Sequence, residues 1–129
     1  MKLDEFLARV RERGEYRSRE EAEHVSTAVL WALATRITPE EADDLAAQLP
    51  APLDEALHLE RGRPESFGRE EFLRRVAGQT GARPRTAEWD ASAVLSTVAD
   101  AVSGGQVNHL LSQLPTRYAE LFGRPGLSA

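Results

Sequence analysis

Glu5-Phe6-Leu7-Ala8-Arg9-Val10 returns as Glu71-Phe72-Leu73-Arg74-Arg75-Val76, with five of six positions identical at an offset of 66. Farther along, Ala28-Val29-Leu30 returns as Ala93-Val94-Leu95, and Gln48-Leu49-Pro50 as Gln113-Leu114-Pro115, both at an offset of 65. Ala22-Glu23 and Ala87-Glu88 keep that second offset, so one residue is lost between Val10 and Ala22. That stretch reads as a loop because of Gly14 and, in the second half, Gly81, and loops are where insertions and deletions are tolerated. Ordered matches along both halves predict an internal duplication, with repeat one at 1–62, repeat two at 65–123 and a joint near 61–66.

Each repeat carries a helical rather than a strand pattern. Leu3, Phe6, Leu7 and Val10 fall at i, i+3, i+4 and i+7, one face of an amphipathic helix, and Phe72, Leu73 and Val76 repeat it. Ser18-Arg19-Glu20-Glu21 has the capping-box form and opens a run in which Ala22, Val25, Val29, Leu33 and Ile37 face one way. Thr38-Pro39-Glu40-Glu41 is a second box with proline at the first helical position, where its missing N–H costs nothing; Ser103-Gly104-Gly105-Gln106 begins its copy. Pro50 and Pro115 stop the third helix of each repeat. Short fourth helices are predicted over 53–57 and 118–122, the latter with Thr116 as cap. Period-2 alternation is not sustained anywhere, which argues against a sheet. A unit of about 60 residues is marginal alone. The expected architecture is all-α: two tandem copies of a four-helix unit packed about a pseudo-twofold axis as one compact helical bundle.

Asp44-Leu45-Ala46-Ala47-Gln48-Leu49-Pro50, preceded by Ala28-Val29-Leu30, resembles the bacterial family known as domain of unknown function 2267. The resemblance runs from about Leu3 to Phe122 and implies a small helical bacterial protein; it brings no catalytic residues. The second copy departs from the first, with Asn108-His109-Leu110-Leu111-Ser112 where the first has Asp43-Asp44-Leu45-Ala46-Ala47. A role resting on that acidic pair is therefore not shared by both halves.

Composition bounds the function. The 129 residues carry a net charge of −5 and no cysteine. Disulfides and thiolate chemistry are excluded, and a reducing, cytoplasmic setting fits. Apolar runs are broken by charge and the first ten residues include acidic groups, so neither secretion nor membrane insertion is expected. The acidic excess lies in residues 1–64, with 9 Lys/Arg against 14 Asp/Glu, whereas residues 65–129 hold 7 of each. No global positive field draws a phosphate backbone, and nucleic acid is a poor candidate partner.

The chemistry-bearing residues are sparse. His24, His58 and His109 show no helical i, i+3 or i+4 pairing of the kind metal sites use, so no metal or other cofactor is expected. Glu20, Glu21, Glu23, Glu40, Glu41, Asp43 and Asp44 crowd helix starts, where carboxylates complement the macrodipole. Ser26, Thr27, Ser92, Ser96 and Thr97 lack a nucleophile elbow or an evident base, and Gly104-Gly105 lacks the lysine and spacing of a phosphate loop. No catalytic residue is assigned. Phe67 reads as a hydrophobic staple before the Phe72 helix. Trp31 and Trp89 face Ser96 and His24 in the repeat alignment, an apolar ring against a polar partner, which marks the interface between halves or an exposed docking patch.

The candidate interaction surface is therefore Trp31 and Trp89, with the short basic connectors Arg61, Arg63, Arg83 and Arg85. The expected function is a non-enzymatic helical interaction or scaffold module whose partner is a protein, self-association included. The alternative is a small-ligand binder or enzyme using the helix starts at Glu40, Glu41 and Asp44 with His109 or His24. A DNA-contacting regulator working through the four arginines comes third.

Overall fold

A computed structural model describes residues 1–58, 64–82 and 84–123. Its elements run α1 (Leu3–Gly14), α2 (Arg19–Ala34), α3 (Pro39–Gln48), the 3-10 helix η1 (Leu53–His58), α4 (Arg69–Thr80), α5 (Pro84–Ala101), α6 (Gly104–Ser112) and α7 (Tyr118–Leu121). There is no strand among the described residues, and the fold is all-α.

The caps explain the boundaries. Ser18, Thr38 and Ser103 each accept a hydrogen bond from the backbone N–H three residues on, at Glu21, Glu41 and Gln106, which satisfies one orphan donor of each first turn. Pro39 occupies the first turn of α3 as expected. The short helix expected after Pro50 is present, as a 3-10 helix. Two details differ from expectation. The helix opened by Ser18 ends at Ala34, so Ile37 is buried from the connector rather than from α2. Thr116 is not the cap of α7: Arg117 holds that place without a side-chain bond, and Thr116 contributes only its carbonyl to Ala119 N–H, because the chain turns tightly out of Pro115.

Helices α1 and α4 end alike. The residue after each is left-handed, Glu15 at φ 55° and Gly81 at φ 78°. Gly81 adopts this without strain, whereas Glu15 carries a Cβ there.

The apolar stripes meet in one core. Phe6, Leu7 and Val10 of α1, Val29, Leu30 and Leu33 of α2, Leu45 of α3 and Leu53 and Leu57 of η1 join Phe72 and Val76 of α4, Val94, Leu95 and Val98 of α5, and Leu110 of α6. Tyr118 closes it against Phe72, ring centroids 5.4 Å apart. Each such side chain removed from water contributes roughly 1.5–3 kcal/mol.

Packing crosses between the two halves of the chain. α1 lies against both α2 and α5, and α4 against both α5 and α2, while α3 touches α6. The polar contacts cross in the same sense. Arg9 binds Glu5 within its helix and Asp100 on α5; Arg75 binds Glu71 within its helix and Thr35 after α2. The segment entering α4 is tied down by Glu65 N–H on Thr35 O, Arg36 Nε on Phe67 O, and the Tyr118 hydroxyl on the carbonyls of Phe67 and Gly68. Phe67 is half-buried beneath two guanidinium groups, with Arg75 Cζ 4.1 Å and Arg36 Cζ 5.8 Å from its ring centre, a cation–π arrangement that the staple reading did not include.

Candidate functional site

The last turn of α1 meets α5 at Gly14. A Cβ built on Gly14 would lie 2.1 Å from Cε2 of Tyr16, so the tyrosine ring occupies the space that any larger residue needs. The left-handed Glu15 folds the chain back to set the ring there. From that position the Tyr16 hydroxyl donates to Asp90 Oδ1 at 2.6 Å. One residue before Asp90 on α5, Trp89 Nε1–H donates to Gly14 O at 3.0 Å. Glycine makes room for the Tyr16 ring at this helix end, and the Trp89 indole holds its last carbonyl.

Electrostatics follow from burial. Asp90 is 4% exposed. Desolvation holds its carboxyl above the ordinary aspartate value, the Glu21 charge adds to the effect, and the Tyr16 hydrogen bond opposes it. Burial, then the bond to Asp90, push the Tyr16 hydroxyl far above the ordinary phenol value. Tyr16 is therefore a hydrogen-bond donor across the working pH range and no general base.

Two clefts flank this contact. One, of about 500 Å³, has an apolar floor of Leu7, Ala8 and Tyr16 and a charged rim that includes Asp4, Arg11, Glu12 and Arg19. The other, about 220 Å³, is lined by Arg13, Trp89, Ser92, Ser96, Glu120 and Leu121. In it Arg13 is clamped by Ser96 Oγ, Thr97 Oγ1 and Asp100 Oδ2 at 3.0, 3.2 and 2.5 Å. Trp89 is 52% exposed, the one large hydrophobic side chain so exposed among the described residues. Arg85 is exposed one helical turn before it. Trp31 differs, being partly buried and packed on the core. Arg61, Arg63 and Arg83 lie outside the described residues.

A second polar cluster joins α3 to α6. Glu41 was read as a carboxylate complementing the α3 dipole, yet it is 1% exposed. Its backbone N–H goes to Thr38, but its side chain does not return to the cap. Instead, Oε1 accepts from Gln106 Nε2 at 2.5 Å, and Oε2 faces His109 Nδ1 at 2.5 Å and Gln113 Nε2 at 3.4 Å. Nearby, Gln48 Oε1 accepts from Ser103 N–H at 2.8 Å. A buried carboxylate is stable only when so supplied with donors. Glu20, Glu21 and Glu40 lie exposed in first turns, whereas Asp43 and Asp44 are exposed farther along α3, beyond its first turn. The structure thus brings His109 to Glu41, while His24 stands exposed on α2 and His58 Nδ1 lies 3.5 Å from Asp43. No group of three potential metal ligands occurs among the described residues. Among the hydroxyls, Ser26 is fully buried without a hydrogen-bond partner and Thr97 bonds Ala93 O, so neither is placed to attack a substrate.

The sequence reading missed Gly14, Tyr16 and Asp90 as a unit. One signal was available: at the sequence offset of 65 Asp90 falls on Val25, a carboxylate where the first half of the chain has an apolar residue.

The sequence profile of the family described as "Uncharacterized conserved protein (DUF2267)" matches residues 3–121, and the chain belongs to that family. No curated protein matches the chain.

Proposed function

We propose that this DUF2267 protein is a non-enzymatic helical interaction module that docks a protein partner through the surface around Trp89. The carrying observation is the indole itself, 52% exposed yet anchored by its N–H on Gly14 O and bordered by a cleft. Anchored aromatic side chains carry much of the energy of protein interfaces, because little rotamer entropy is left to lose on binding. The accessible surface of 6763 Å² is close to the roughly 6,800 Å² expected of a monomer of this mass, so a second copy is not needed to cover the core. Self-association, on this reading, is a use of the Trp89 face and not a condition of folding.

The module reads as a doubled segment. The contacts of Arg9 with Asp100 and of Arg75 with Thr35 exchange under the sequence offsets, and Glu41 bonds Gln106, its own counterpart at an offset of 65. A residue on a twofold axis meets its own copy, which supports two repeats packed about such an axis. A cytoplasmic, bacterial setting belongs to the same proposal, supported by the cysteine-free sequence and by the family resemblance. The rival reading, a ligand binder or enzyme built on Glu40, Glu41 and Asp44 with His109, gains from the Glu41–His109 contact. It loses because both Glu41 oxygens are already engaged below the surface.

The test pairs light scattering after size exclusion with affinity capture, using the wild type and Trp89→Ala. A partner or dimer that binds the wild type and is lost from a folded Trp89→Ala variant is the expected outcome. A strict monomer with no Trp89-dependent partner defeats the proposal.

A further inference from the structure

We propose that His109 is a phosphoryl-accepting histidine, its Nε2 nucleophile oriented by the buried Glu41 carboxylate. The site is on α6, away from Trp89, and does not depend on the docking reading. His109 Nδ1 lies 2.5 Å from Glu41 Oε2, and in the tautomer that makes this a hydrogen bond to the carboxylate the ring proton is on Nδ1. The lone pair of the neutral ring is then on Nε2. The side chain of His109 is 61% exposed while that of Glu41 is 1% exposed, so the nucleophilic side faces water and the orienting charge does not.

This polarity matters for the reaction. When Nε2 attacks the phosphorus of an acyl phosphate or a phosphoramidate, an N–P bond forms and the bond from phosphorus to the carboxylate or amine leaving group breaks. The proton stays on Nδ1, and the ring becomes cationic. Glu41 meets that charge at hydrogen-bond distance, from a position where water does not screen it. Gln106 and Gln113 hold the carboxylate in place from the same helix and just past its end. Glu41 thus acts as a positioning residue, through His109.

The other two histidines are internal controls. His58 also stands near a carboxylate, but Asp43 Oδ1 is 3.5 Å from its Nδ1 and the Asp43 side chain is 56% exposed, where solvent competes. His24 is exposed on α2.

The full chain is treated at neutral pH with phosphoramidate and, separately, with acetyl phosphate; the products are followed by intact mass and by peptide mapping under alkaline conditions. Phosphorylation at His109 is expected from at least one donor, about tenfold faster than at His24 or His58, a modest fraction of what an oriented base or nucleophile contributes. His109→Gln, at an exposed position, should abolish the fast product. Glu41→Gln should slow labelling of His109 about tenfold and leave His24 and His58 unchanged. Should that variant unfold, the same comparison runs on the wild type in denaturant, where the His109 advantage must vanish. Equal rates at all three histidines, no N-linked phosphoryl from either donor, or an advantage that survives unfolding overturns the proposal.

Discussion

Replacing Gly14 by alanine sets two physical effects against each other. Helix propensity alone favours the change by about 1 kcal/mol, since Gly14 is the last residue of α1. The structure predicts the opposite sign. The new methyl would sit 2.1 Å from Tyr16 Cε2 and 2.3 Å from Cζ, and those atoms belong to a ring pinned at its hydroxyl by Asp90. Forcing a ring out of a packed site costs roughly 1–3 kcal/mol. Swinging the hydroxyl away from Asp90, itself 4% exposed, adds about 1–3 kcal/mol for a buried acceptor left without its donor. The net expectation is a loss of about 1–5 kcal/mol, or a fall in melting temperature of roughly 4–18 °C for a chain of this size. Thermal and urea denaturation followed by circular dichroism measures it. Tryptophan emission should shift as well, because Gly14 O holds the Trp89 indole. A Gly14→Ala protein that melts at or above the wild-type temperature refutes the account of this contact.

Two further outcomes follow from buried polar groups. Ser26→Ala should raise stability by about 1–2 kcal/mol, read as a higher urea midpoint, because Ser26 Oγ is fully buried without a partner and its counterpart in the second half is the equally buried Ala91; a lower midpoint would show that the hydroxyl is satisfied. The second concerns the two tyrosines, the only phenols in the chain. Burial raises Tyr118 to about 12, with Arg36 opposing, and raises Tyr16 further. A folded-state pKa above the unfolded value of about 10 means stability that is intact below pH 10 and lost as pH climbs toward and past 12. Phenolate absorbance should therefore stay flat through pH 10 and rise together with the loss of helical ellipticity; a simple titration centred at 10 with the helices intact contradicts it.

How much of this was legible depended on whether the signal was local. The caps at Ser18, Thr38 and Ser103 were readable because a capping box is complete within four residues. The stripes of Phe6 and Val10, and of Phe72 and Val76, were readable because 3.6-residue periodicity needs no partner to be recognised. Thr116 misled for the same reason: it has the chemistry of a cap, but the geometry of the chain leaving Pro115 decides whether the hydroxyl meets an N–H. Glu41 misled more instructively. Its place in the box was right for the backbone, while its carboxylate had better donors across the bundle, in residues 65, 68 and 72 positions away.

By itself, then, the amino-acid sequence determined the helical class, most helix starts and stops, the identity of the core residues and the membership of the DUF2267 family. These rest on steric and hydrogen-bonding preferences that act within a turn or two of chain. Only the tertiary structure decided which polar residues leave water and which face it. It placed Tyr16 on Asp90 and His109 on Glu41, and it left Trp89 exposed while Trp31 packs on the core. The reason is physical: desolvation and pairing energies depend on what lies across the interface, and separation along the chain carries no information about that.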